Sequence, residues 1–199
     1  LLTHLKMRCL LLLSLFTIST FAEITGWINE FHYRNLGADE NVFLEIIGPA
    51  GVEAWRYMLV MYQGRSSTQF HEGMSLSGHW FNESTTGAYG FMSLSLPSKG
   101  GIRKGKVGGD AIALVKNGEC IQFFSYGENN NETLTATTGP CMGATSINIG
   151  AHEPRDTPVG YSLQMHGRGS EMGDFVWYES PMAATKNEPN IGQELVTYA

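Results

Sequence analysis

The chain has 199 residues, 42% hydrophobic and only 16% charged, with a formal net charge of −6. An acidic surface repels phosphate backbones, which excludes non-specific nucleic-acid binding. The 24 glycines and the low charged fraction suit a loop-rich β protein rather than a helical bundle.

In chain order, Lys6 and Arg8 precede an apolar run that begins at Cys9, and Thr20-Phe21-Ala22 places small residues ahead of a cleavage point. That is the layout of a secretory signal, and the run is well short of the roughly 20 residues a membrane span needs. Residues 1–22 are therefore expected to be a cleaved leader (those ahead of Met7 lying upstream of the start), residues 23–195 one domain, and 196–199 a tail. Without the leader the formal charge becomes −8, and nothing remains for stable membrane insertion. Cys120 and Cys141 are then the two remaining cysteines, an even pair that an oxidising compartment would join. The alternative is two buried thiols.

Apolar segments after Glu23 are short and separated by glycine or polar clusters, the spacing of an antiparallel sandwich or barrel. Strands are expected at 24–33, 41–47, 56–62, 89–96, 110–115, 119–126, 160–166 and 174–178, with a brief one at 147–150. Gly48-Pro49 is expected to stop the second, since proline cannot donate to a ladder. Lys116-Asn117-Gly118 between two strand-like runs is a type I′ hairpin signal, because both central positions need positive φ. Gln63 to Thr86 is polar, holds at most a weak strand near Met74, and is a candidate for binding loops. The segment after Ala183 reads as irregular or docked along an edge.

The ordered succession Gly26-Trp-Ile-Asn-Glu-Phe-His-Tyr33, Phe43-Leu-Glu-Ile-Ile-Gly-Pro-Ala-Gly51, Gly109-Asp-Ala-Ile-Ala-Leu-Val115, Thr138-Gly-Pro140, Thr157-Pro-Val-Gly-Tyr-Ser-Leu-Gln164 and Asn190-Ile-Gly-Gln193 resembles the lamin-tail domain family, in the branch found in secreted bacterial and algal proteins. The resemblance runs from about Trp27 to Gln193. It implies an immunoglobulin-like β-sandwich used as a binding or targeting module, in secreted proteins often attached to a nuclease or phosphatase. Relatives commonly carry an acidic residue where this chain has Arg34, which speaks against a cation site at that turn.

Three carboxylates, Glu30, Asp39 and Glu45, with Asp110 as a fourth, are the candidate oxygen ligands for a structural Ca²⁺, which takes six to eight oxygens. Their spacing matches no EF-hand, and the competing expectation is hydrogen bonding within the scaffold. The histidines lack metal-ligand spacing, and no Gly-x-Ser-x-Gly or phosphate-loop pattern occurs, so no cofactor and no catalytic residue are assigned. Among the aromatics Trp80, with His79 and Phe81, is the candidate binding site, because it stands in a polar segment where a core residue is not expected. The expected function is that of a secreted, non-catalytic module contacting extracellular protein or carbohydrate. The alternative is the leading module of a larger secreted nuclease or phosphatase.

Overall fold

The computed structural model describes residues 23–82, 87–97, 101–104, 109–128 and 132–197. The expected leader lies outside them. Among the described residues, thirteen strands form two sheets. The first has the order β11 (Phe175–Trp177), β10 (Tyr161–Gly169), β1 (Trp27–His32), β2 (Phe43–Pro49), β6 (Tyr89–Ser95), and β12 (Met182–Ala183) and β13 (Gln193–Leu195) also pair with β10. The second has the order β4 (Thr68–Gln69), β3 (Tyr57–Gln63), β7 (Asp110–Lys116), β8 (Glu119–Tyr126), β9 (Ile147–Asn148), with β5 (Met74–Ser75) on β3. The helical residues described are a single 3₁₀ turn, Met172–Asp174, and no helix among the described residues is long and apolar enough to cross a membrane.

The sequence expectation of an all-β chain holds, with differences of detail. Two short pairs, β10 with β13 and β8 with β9, are parallel, so the sheets are mixed rather than purely antiparallel. The Asn117-Gly118 hairpin forms as its chemistry requires: φ is 52° and 83° at the two residues, and Lys116 pairs with Glu119. Strand β2 runs two residues past its expected end. Pro49 occupies its last ladder position, opposite Tyr89, where a missing N–H costs little, and Ala50 N–H resumes bonding to the Ala88 carbonyl.

Alternation along the strands sends Ile28, Phe31, Leu44, Ile46, Met92 and Leu94 from one sheet, and Leu59, Ile112, Leu114 and Phe124 from the other, into one core. Phe31 sits at its centre, with ring centroids 5.2–5.9 Å from Tyr126, Trp177, Phe124 and Tyr33. A β-bulge between Ile28 and Glu30 breaks the β1–β2 ladder. Gln122 of the facing sheet repairs it, accepting from Ile28 N–H at 2.6 Å and donating to the Ile28 carbonyl at 3.3 Å. One buried amide thus stitches the two layers at the point where strand pairing fails.

Both outer faces are covered as well. Residues 132–146 lie over the second sheet, where Leu134, Ala136 and Cys141 pack on Val60, Tyr62, Ala113 and Phe123. The Cys120–Cys141 disulfide ties this cover to β8, with a Cα separation of 5.3 Å, and Cys141 N–H donates to the Tyr62 hydroxyl at 3.1 Å. Closing that loop is worth about 3 kcal/mol in the chain-entropy model. Replacing both cysteines by serine is expected to lower the thermal midpoint by about 6–12 °C, read by calorimetry. An unchanged midpoint would mean that the cover is held by packing alone.

Candidate functional site

The outer face of the first sheet carries a buried carboxylate pair. The bulge brings Glu30 directly opposite Glu45, and segment 183–193 covers both. Four donors converge on Glu30: the Ser162 hydroxyl (2.5 Å), Gln164 Nε2 (3.2 Å), and Thr185 through its N–H (3.0 Å) and its hydroxyl (3.2 Å). Glu45 accepts from Asn187 N–H at 2.5 Å and, weakly, from Asn29 Nδ2 at 3.4 Å. Burial, and then the charge of Glu30, push the Glu45 carboxyl up to about 8, while burial raises Glu30 against the pull of its donors. Burial thus favours the protonated form at both carboxyls, and at Glu45 the charge of Glu30 adds to it. Together they fasten the C-terminal segment to the sheet.

The remaining acidic candidates go elsewhere. Asp39, in the β1–β2 connection, pairs with Lys104 at 2.5 Å, and Asp110 at the start of β7 accepts from Gly64 N–H at 3.0 Å and Arg103 Nε at 3.2 Å. Glu30, Asp39 and Glu45 are thus not gathered into one ligand set, and no group of three or more His, Cys, Asp and Glu side chains suited to a metal ion occurs among the described residues. The reason is the fold. Strand pairing joins Glu30 to Glu45, whereas the turn that carries Asp39 bonds to a neighbouring lysine.

A buried ion pair, unforeseen from the sequence, anchors the end of β1. Glu153 accepts from Tyr33 N–H (2.7 Å) and Arg34 N–H (2.8 Å) and lies 2.7 Å from His32 Nδ1, while its own N–H donates to the Tyr33 hydroxyl (2.8 Å). Burial alone would depress the His32 imidazole; the bond and charge of Glu153 outweigh it and hold it above its usual value. Arg34 extends the cluster to Glu128. These are scaffold bonds, with every Glu153 acceptor engaged on backbone or imidazole.

The exposed chemistry lies at another end of the molecule. An antiparallel bridge joins Glu53, in the β2–β3 connection, to Trp80. The bonds on either side, from Ala54 N–H to the His79 carbonyl (2.8 Å) and from Phe81 N–H to the Val52 carbonyl (3.1 Å), make this a non-hydrogen-bonded pair with its side chains close together. Ala54 and Phe81, next to the bridge, are buried in the core, whereas Trp80 at the bridge and Trp55 in the turn closed by Tyr57 N–H to the Ala54 carbonyl are exposed. Trp55 is 57% exposed and Trp80 60%. Glu53 is fixed by Gly78 N–H at 2.7 Å, and the Arg56 guanidinium lies 4.8 Å from the centre of the Trp55 ring.

Phe81, expected among the contact residues, instead anchors this face. Its ring meets Tyr57 edge-on at 5.9 Å and covers Gly48, where a Cβ would overlap it. Only glycine fits at that position. Gly48→Ala is expected to cost about 1–3 kcal/mol by overpacking, measured by denaturant titration, and a neutral result would show that the Phe81 ring moves freely.

Of the three contact residues expected from the sequence, Trp80 and His79 are exposed and Phe81 is buried. Trp55 is not among them, and its surroundings depend on pairing of residues 25 positions apart. The clue available was local: it stands between Glu53 and Arg56 in a break between strands. No family model matches the chain, and no curated protein or solved structure matches it.

Proposed function

We propose that this chain is a secreted, non-catalytic binding module built on an immunoglobulin-like sandwich of the lamin-tail kind. Its contact surface is the exposed patch around Trp55 and Trp80. The observation that carries this reading is the exposure of two indoles on backbone that is itself pinned to the core through Ala54, Tyr57, Leu76 and Phe81. Large aromatic side chains left in water on a rigid frame are the anchors of contact surfaces, because they bury much area at small cost in conformational freedom. The buried acids and the buried imidazole, by contrast, are engaged in holding strands and the C-terminal segment, which supports a module without catalysis. The disulfide supports an oxidising compartment.

The test is retention of the purified protein on a panel of immobilised extracellular proteins and glycans. The wild-type chain should bind at least one member, and the double variant Trp55→Ala/Trp80→Ala should lose at least tenfold in affinity with an unchanged thermal midpoint. Equal retention of the variant, or no retention of either protein across the panel, refutes the reading.

A further inference from the structure

Within that binding reading, on which this inference rests, the geometry points to a carbohydrate chain as the occupant: we propose that Trp55 and Trp80 stack on the C–H faces of pyranose rings, with Glu53 accepting from the ring hydroxyls. The bridge places the Trp80 Cα about 4.5 Å from that of Glu53, and Trp55 lies two residues beyond Glu53, about 7 Å away. The two indoles therefore rise from Cα atoms no more than about 12 Å apart, Trp80 at the bridge and Trp55 in the turn that follows it. That is a reach suited to successive sugar units rather than to a single small ligand.

The surroundings favour a sugar over a protein partner. Protein-docking patches gather aliphatic and aromatic side chains into a dry centre with charges at the rim. Here the residues close to the indoles and their bridge in the chain include Glu53 and the exposed Arg56, Ser77, Gly78 and His79, beside exposed Val52. A carboxylate beside aromatic faces supplies acceptor oxygens to hydroxyls, which is what a hydroxyl-covered, apolar-faced ring requires. Arg56 lies over one face of the Trp55 ring and is itself tied to Glu23 at 3.3 Å, so the opposite face of that indole is the one offered to a ligand. Rigidity matters too. The bonds from Tyr57 N–H to the Ala54 carbonyl (2.9 Å), from Leu76 N–H to the Tyr57 carbonyl (3.0 Å) and from Asn117 N–H to the Arg56 carbonyl (2.9 Å) fix the frame before any ligand arrives, as a shallow, weakly gripping site needs.

The experiment is affinity electrophoresis and fluorescence titration of the intact chain with chitin, cellulose, xylan and laminarin oligosaccharides, beside deglycosylated extracellular proteins. The expected result is binding to at least one oligosaccharide, with a change in indole emission. Trp55→Ala and Trp80→Ala should each lower affinity at least tenfold, and Trp80→Phe should retain more than Trp80→Ala because a ring still stacks. Met142→Ala, exposed elsewhere on the molecule, should bind like wild type. If no oligosaccharide binds, or if both alanine variants bind them normally, the sugar inference is overturned. Binding only to deglycosylated protein, lost with the two indoles, also overturns it while leaving the binding reading intact. Absence of binding in both arms removes both.

Discussion

Raising the pH from 6 to 8 is expected to lower the thermal midpoint of this protein by about 4–8 °C. The cause is the buried pair on the outer face of the first sheet. Folded Glu45 keeps its proton up to about 8, whereas in the unfolded chain it releases it near its ordinary value of 4.5. Between those values the folded state binds more protons, so stability falls as pH rises. The contribution is fully present below the lower value and gone above the higher one. Over that window it is of order 4–5 kcal/mol, about 2 of them between pH 6 and 8. Glu30 and Glu153, both raised by burial, act in the same direction. So does His32, whose raised value stabilises the fold until pH climbs through it. Among the charged groups around Glu45, the Glu30 charge deepens the effect and Lys186 offsets part of it. Glu45→Gln removes this group's titration and should flatten the slope, leaving the variant more stable than wild type at pH 9 but not at pH 5. Calorimetry across that range decides. A wild-type profile that is flat or rises between pH 6 and 8 would mean that the pair is solvated.

The second large effect is expected at Glu153. Its carboxylate is fully buried and serves Tyr33 N–H, Arg34 N–H and His32 at once. Glu153→Ala leaves two backbone donors and an imidazolium without a partner, and breaking such a pair by removing one member costs about 3–5 kcal/mol. Glu153→Gln keeps one acceptor oxygen and should lose less. Denaturant titration of the two variants at pH 6 checks the order. A loss below about 1 kcal/mol for the alanine variant would show that water replaces the carboxylate at the end of β1.

What the sequence made legible follows the range of the interactions. The Asn117-Gly118 turn depends only on which residues tolerate positive φ, and it was read correctly with both flanking strands. The all-β class was legible from the length and separation of apolar runs. For segment 183–195 docking along an edge was one of two readings, but its partners were not legible. It docks through polar contacts to residues about 140 to 165 positions earlier, such as Asn187 to Glu45 and Gln193 to Asn29, which leave no periodic trace. The carboxylate pairing was half legible: Glu30 and Glu45 were singled out, but the bulge that sets them face to face is invisible without the ladder, and Asp39 belongs to a different bond. Trp80 could be expected at the surface because its neighbours are polar, whereas the surroundings of Trp55 depend on the bridge through Glu53.

The most direct test of a binding face at Trp55 and Trp80 is the indole N–H spectrum of the ¹⁵N-labelled protein. The chain has four tryptophans, so each resonance can be assigned by single substitution. On addition of the panel member that retains the protein most strongly, the Trp55 and Trp80 signals should shift in proportion to occupancy, while buried Trp27, packed on Phe175 at 5.7 Å, stays in place. Saturating ligand that leaves both exposed indoles unmoved would contradict the assignment of this face.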